Sequence, residues 1–469
     1  MFRLLALVST LALVACETGP NYAPPATPAT AAPPFIGAAS PAVSSADQPD
    51  GNWWQLYRDP VLDGLIADAL AANKDIALAT ANVAKARAAL RGAKSERLPS
   101  TSIDSQGGYQ RLAQDQTLPG FGRQGSAIDG GLSVAYEIDL FGRVARGVEA
   151  ARGDAAAEDA ARDAVRVTVV AETTRAYADL GSIAEQIRVA QRIVALVDQS
   201  VQLTSRRYEA GRATRLDTSR TATLRDQVRA TVPPLIAQRD AALYSLATLT
   251  GRTPRDLPPA LWANVPILHL DRPLPVGDGR ALLSRRPDVR EAERRLAAET
   301  ARIGVETAAL YPTISLGGSV GQTSTGFGSL GSSALRWFTG GLLSWNFPNQ
   351  EAARARIAGA RAQTGAALAV FDKTVLQALQ ETETGLSAYT HELDRRQALA
   401  EARTEAETAV RIVRAQLREG RVDSLSLIDA ERNFADTDAA LAASDARVVT
   451  AQVDLFRALG GGWQGPAKS

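Results

Sequence analysis

The sequence predicts a mainly α-helical chain, duplicated internally, that carries strands of the kind found in membrane β-barrels. Three observations predict it. No proline falls between Pro119 and Pro233, or between Pro348 and Pro466, so each half has room for helices that no proline breaks. The stretch "NKDIALATANVAKARAALRGAKSERLPS" (73–100) aligns with "RPDVREAERRLAAETARIGVETAALYPT" (286–313), with Asp75 on Asp288 and Pro99 on Pro312, each pair 213 residues apart. Further on, Tyr136 falls on Trp345 and Gly211 on Gly420, each pair 209 apart. The four extra residues of the first copy therefore lie between Pro99 and Tyr136, as expected of a loop. Finally, short segments between the helices alternate apolar and polar residues with the period of a strand.

The chain opens with "MFRLLALVSTLALVAC". Arg3 is followed by a largely apolar run of 12 residues, Leu4 to Ala15, and then by Cys16, the single cysteine. That run is too short to span a bilayer as a helix and fits a signal peptide. "LVAC" (13–16) matches a bacterial lipobox, which makes residues 1–15 the leader and Cys16 the lipid-attachment site. Residues 16–52 hold eight of the 23 prolines and read as an extended Pro/Ala-rich tether.

Repeat 1 spans 53–265. It starts with a helix at about 61–97, broken near Asn73, and continues with strands at about 100–112 and 127–140. A long helix at about 142–208 and a return helix at about 215–249 follow, the latter kinked by Pro233-Pro234. Residues 266–280 link the copies. Repeat 2 spans 281–463, with a helix at 287–310, strands at about 312–323 and 336–347, a long helix at about 350–417 and a return helix at about 423–459. A short tail, 464–469, ends the chain. At ~1.5 Å per residue each long helix would run about 100 Å, several times the width of an ordinary domain. In the first, Ile183, Ile187, Ala190, Val194, Val197, Val201 and Thr204 recur in a 4-3 alternation; in the second, Leu399, Ala402, Ala406, Ala409, Val413 and Gln416 do. Both read as coiled-coil seams with small knobs. Between each long helix and its return lies a glycine motif, "YEAGRATRLD" (208–217) and "LREGRVDSLS" (417–426). A glycine costs a helix about 1 kcal/mol relative to alanine, so Gly211 and Gly420 are read as turns.

Among the strands, Leu132, Val134, Tyr136, Ile138 and Leu140 share one face of 131–141, with Ser133, Glu137 and Asp139 opposite. Ile314, Leu316 and Val320, then Trp337, Leu343, Trp345 and Phe347, do the same in the second copy, and Ile103 and Tyr109 mark the weakest strand. Tyr109, Tyr136, Trp337 and Trp345 are candidate membrane-interface aromatics, because outer-membrane barrels carry aromatic girdles at both interfaces. Four strands cannot close a pore, and an open edge cannot sit in lipid. If these strands cross a membrane, several chains must share one barrel.

Charge and chemistry narrow the function. Without its leader the chain has equal numbers of basic and acidic residues, 51 of each, which argues against a nucleic-acid partner. The two histidines, His269 and His391, stand in unlike contexts and the one cysteine is assigned to lipid, so no catalytic dyad, metal site or cofactor site is expected. No phosphate-cradling glycine loop is present.

With these features in place, the sequence resembles the TolC-like outer-membrane efflux proteins, in particular their OprM/NodT lipoprotein branch. "LLSRRPDVREAERRLAAETARIGVETAALYPTISL" (282–316) is the most specific stretch; "YEIDLFGRVARGVEAAR" (136–152), "VPPLIAQRDAALYSLATLTGR" (232–252) and "GNWWQLYRDPVLDGLIADAL" (51–70) also match. The resemblance implies a homotrimer with a twelve-stranded outer-membrane barrel, a periplasmic helical tunnel and a mixed equatorial belt. It implies a passive exit duct for drugs or other small toxic compounds, docked to a periplasmic adaptor and an inner-membrane RND-type pump. A duct for protein secretion and a lipid-anchored periplasmic coiled-coil scaffold are the alternatives. The resemblance also places the glycine motifs at a closed periplasmic tip, where an aspartate of the first copy and an aromatic and a basic residue of the second hold the tip shut. Asp217 matches the aspartate. The aromatic appears as Tyr208 in the first copy, whereas the second copy has Leu417, and the nearest charges there are Arg421 and Asp423. Asp217, Arg421 and Asp423 are therefore expected to form the constriction through charge pairs.

Overall fold

The computed structural model describes residues 17–26, 31, 33–47, 51–116, 123–263, 265–270, 272–324 and 334–462. Its elements repeat in order. The first copy runs α1 (Pro60–Ala72), α2 (Lys74–Ser95), β2 (Ser100–Arg111), β3 (Gln124–Ile138), α3 (Arg143–Glu209), α4 (Arg215–Ala230) and α5 (Val232–Leu249). The second runs α6 (Gly279–Arg285), α7 (Pro287–Ala308), β5 (Thr313–Ser324), β6 (Leu335–Ser344), α8 (Glu351–Arg418) and α9 (Ser424–Ala458). Two short strands, β1 (Val43–Ser44) and β4 (Leu274–Pro275), pair in parallel.

Local chemistry sets these boundaries. Asp59 accepts from the amides of Val61 and Leu62, with Pro60 at the start of α1, an N-cap followed by the one helical position that suits proline. The Asn73 side chain likewise accepts from the amides of Asp75 and Ile76 and opens α2. The expected kink at Pro233-Pro234 is a break at Thr231, after which the prolines occupy the first turn of α5. The second copy has no such break, and α9 continues for 35 residues.

The chain divides into two compact units. One holds the described residues of Met1–Pro25, Asn82–Asp159 and Glu291–Asp372; the other holds those of Ala26–Ala81, Ala160–Arg290 and Lys373–Ser469. The first unit contains the antiparallel sheet, in the order β2-β3-β5-β6. The second has a continuous apolar core, in which Trp53 is fully buried and stacks on Phe456 at 4.6 Å. Leu62, Ile66, Tyr177, Leu243, Leu282 and Leu386 belong to the same core.

The proline-rich tract binds more than a tether would. In the first unit the Thr18 amide donates to the carbonyl of Phe141, and Arg146 donates to the Thr18 carbonyl and the Asn21 side chain. In the second unit the amides of Ile36 and Gly37 donate to the Glu383 carboxylate, Phe35 is buried, and β1 pairs with β4. An extended segment laid on a surface must find partners for its backbone groups, and these elements supply them.

The stretch most specific to the resemblance has a physical role here. Arg285 donates to the Leu459 carbonyl (2.8 Å), and Arg286 donates to the Ala458 carbonyl (3.0 Å), Asp288 and Glu381. Both guanidiniums therefore satisfy the carbonyls left open at the end of α9. Burial pushes the Arg285 guanidinium down to about 10. In the first copy Asn73 does the same work, donating from its side-chain amide to the Leu249 carbonyl at the end of α5 (3.0 Å).

Within one chain the predicted seams are only partly buried. On α3, Ile187, Ala190, Val197 and Thr204 are buried, but Ile183, Val194 and Val201 are only half-buried, and Val189, Ile193 and Ser200 are buried in addition. On α8, Ala406, Val410 and Leu417 are buried, whereas Ala402 and Ala409 are exposed and Gln416 is half-buried. Each helix contacts more than one neighbour, so a single heptad stripe does not describe its buried face.

Candidate functional sites: the strand sheet and the helix turns

The register of the sheet separates its two faces. Ile103, Leu132, Val320 and Trp337 stand opposite one another across all four strands, as Ile138, Ile314 and Leu343 do across three. These side chains are not covered within the chain: Ile103 is 81% exposed, Trp337 73% and Leu343 68%. A contiguous apolar face of this size is a surface for lipid or for another protein. The opposite face carries Ser102, Asp104, Ser133, Asp129, Thr323 and Arg336, joined in part by a bond from Arg336 to Asp129 (2.6 Å) and one from Thr323 to Asp129 (2.6 Å). Phe338 and Leu342 also stand on that polar face, Leu342 lying over Gly317, and strand alternation alone did not single them out.

The interface aromatics fall into two groups along the strands. Tyr109 and Trp337 lie at the hairpin-loop end, while Tyr136 and Trp345 lie at the end that adjoins the long helices. Trp337 and Trp345 are eight residues apart in the sequence, or about 26 Å along the chain at ~3.3 Å per residue, which the tilt of about 40° usual in such barrels reduces to a height of about 20 Å, most of an outer-membrane apolar band. Trp345 donates to the Leu310 carbonyl and stacks on Phe347, and Phe141 stacks on Tyr311. Among the described residues, β2 and β6 pair on one side only.

The two glycine motifs are the same structure. The Gly211 amide donates to the Tyr208 carbonyl and the Arg212 amide to the Arg207 carbonyl; Gly420 and Arg421 repeat this on Leu417 and Gln416. Both are Schellman turns with a left-handed glycine, at φ +69° and +73°. The return helices begin on capped ends. Thr214 and Asp217 form a capping box that opens α4, and Asp423 accepts from the Ser426 amide and hydroxyl to open α9. The backbone and hydroxyl bonds from Thr214 hold the Asp217 carboxyl below its ordinary value, and those from Ser426 do the same for Asp423.

Within one chain, Asp217, Arg421 and Asp423 have other partners than one another. Both aspartates are engaged as caps, and Arg421 pairs instead with Glu419 at 3.0 Å. Leu417, in the place where an aromatic was expected, is fully buried, and its carbonyl accepts from Arg207 (2.7 Å), while Tyr208 is exposed. Arg207 thus ties the end of α3 to the end of α8, a link that sequence reading missed because an arginine in a last helical turn reads as a dipole partner. Cys16 lies outside the described residues.

An alternating sheet with a bare apolar face and two open edges, in one chain with duplicated helices of 67 and 68 residues, is the make-up of an outer-membrane channel protein. A family model described as outer membrane efflux protein matches residues 65–252 and 279–461, and the chain belongs to that family. It is 31% identical to the probable efflux pump outer membrane protein TtgC of Pseudomonas putida, over 97% of this chain and 94% of the relative. It is 30% identical to the outer membrane protein OprJ of Pseudomonas aeruginosa, over 98% of this chain and 96% of the relative. Among solved structures, the outer-membrane channel OprN superposes with a TM-score of 0.89 at 33% identity, covering 96% of this chain and 100% of that one.

Proposed function

We propose that three copies of this chain form a passive exit duct of a tripartite efflux pump. Drugs or other small toxic compounds cross the periplasm and the outer membrane through it. The observation that carries this reading is the sheet. Its apolar face suits lipid, its polar face suits water, and its four strands end in two open edges. Lipid does not tolerate such edges, so β6 of one chain pairs with β2 of the next. The strands alternate in direction, so three chains close into a twelve-stranded barrel that is antiparallel throughout. The energy comes from an inner-membrane RND-type pump, and a periplasmic adaptor docks on the helices, whose glycine turns form the closed tip. Cys16 carries the lipid, and Tyr109, Tyr136, Trp337 and Trp345 mark the membrane interfaces.

The test is reconstitution of the purified lipidated protein in planar bilayers. Heat-modifiable trimers that conduct are the expected result. A monomer that adds no conductance would refute the duct and favour a periplasmic scaffold.

A further inference from the structure

In the helices nearest the glycine turns, the apolar core of Val189, Ile193, Val197, Leu224, Ile428 and Ala435 is interrupted by a polar seam. On α9, Ser424, Glu431 and Asp438 recur every seven residues, and all three are buried. Glu431 is fully buried; its Oε1 accepts from the Ser200 hydroxyl on α3 and from Arg414 on α8 (2.6 Å). Asp438 is gripped from the same two helices, by Arg192 of α3 (2.8 Å) and Arg403 of α8 (3.1 Å). Nearer the turns, Arg207 of α3 donates to the Leu417 carbonyl of α8. Glu431 Oε2, Thr204 Oγ1 and Arg207 Nε are buried in this region without hydrogen-bond partners. A packed apolar seam would avoid the desolvation this arrangement costs.

We propose that this seam, centred on Glu431, is a titratable clasp between the two copies of the duplication. It holds the first copy's descending helix α3 against the second copy's pair α8 and α9, and so sets how readily the tip parts. The clasp rests on the duct reading. Parting the helices would bring the Glu431 carboxyl into water. Burial raises its proton affinity in the closed seam, against the opposing bonds from Ser200 and Arg414. The closed form therefore binds a proton more tightly than the parted form, so acid favours closure and alkali favours parting. The charge acting directly on Glu431 is Arg414 on α8; one heptad along stands Asp438 with Arg192 and Arg403, and nearer the turns Arg207 of α3. On the α4 side, Arg225 lies 3.9 Å from Asp198 of α3 and also pairs with its own neighbour Asp226. The capping aspartates 217 and 423 are held below 3.8, so they titrate in a lower range than a glutamate raised above 4.5.

The experiment is conductance of the full-length lipidated protein in planar bilayers, with pH varied on the side of the helix turns. Wild-type conductance should rise as pH climbs through the range above 4.5. Glu431→Gln should abolish that rise and remain at the low-pH conductance. Ser200→Ala removes a bond that favours the charged carboxylate, so it should move the rise to higher pH; this variant decides the matter if Glu431→Gln fails to assemble. A Glu431→Gln channel that titrates as wild type does, or stays at the high-pH conductance, would overturn the clasp alone. Wild-type protein that forms no channel at any pH would overturn the duct reading and the clasp with it.

Discussion

The two copies of the duplication use the same backbone devices at the same spacing but different side chains to support them. Both long helices end in a Schellman turn at glycines 209 residues apart, Gly211 and Gly420. Both return helices end in another, at Gly251 and Gly460, again 209 apart. At the latter joint the carbonyls of Leu249 and Ala458 need a donor. Copy one supplies neutral Asn73, whereas copy two supplies Arg286, ion-paired to Asp288 and Glu381. The backbone's requirement persisted after duplication, while the group that meets it diverged.

A second difference separates the turns themselves. A Cβ added at Gly211 or Gly420 meets nothing within 4 Å, but at Gly251 it would lie 2.6 Å from the Ala72 carbonyl oxygen. The largest expected effect is therefore Gly251→Ala, which combines a left-handed backbone with a backbone collision and should cost about 3 kcal/mol. It is read as a drop in thermal midpoint. A cost equal to that of Gly211→Ala would erase the distinction between packed and open turns.

Next comes Arg286→Ala, expected to cost about 2 kcal/mol because it strips a buried donor from the Ala458 carbonyl, while the partly exposed Asp288 and Glu381 regain water. Asn73→Ala should cost less, about 1–2 kcal/mol; equal losses would mean that charge adds nothing to the second joint. Gly211→Ala and Gly420→Ala should each cost about 1–2 kcal/mol, from backbone strain alone. A large inequality between them would reveal contacts specific to one turn.

The Asp217 cap gives a pH signature. Its carboxyl is held below 3.8 in the folded chain, so its contribution is full above that value and fades as pH falls through the lower folded value. Asp217→Asn should remove that acid limb, as read by amide exchange in the first turn of α4. The smallest effect is expected at Pro233, which sits in a first helical turn. Pro233→Ala should change stability by about 1 kcal/mol or less.

Much of this was legible in the sequence. The offsets of 213 and 209 exposed the duplication, alternation placed Leu132, Val320 and Trp337 on one face, and Gly211 and Gly420 stood out as glycines inside helical stretches. The joints were harder to see. Gly251 and Gly460 obey the same offset, but each lies at the end of its helix, where a glycine raises no question. The clasp was hidden for a different reason. Glu431 and Asp438 look like the solvated face of an amphipathic helix, and only their partners on α3 and α8, more than 200 residues away or on the preceding helix, place them inside. The proline-rich tract misled because composition reports the lack of a core, and says nothing of backbone bonds to Phe141, Glu383 or Leu274. Arg421 faced a nearer partner, Glu419, which the spacing of the motif did not reveal.

The shared barrel is tested most directly by cysteine pairs across the open edges, with Ser344→Cys on β6 combined in turn with substitutions along β2 from Ser100 to Arg111. Cys16 is the chain's single native cysteine, and under the proposed lipidation its sulfur is held in a thioether and offers no competing thiol. Oxidation in the membrane should give covalent trimers for the pairs in register. Chains that stay monomeric for every pair, or that link only within themselves, would contradict a barrel built from three chains.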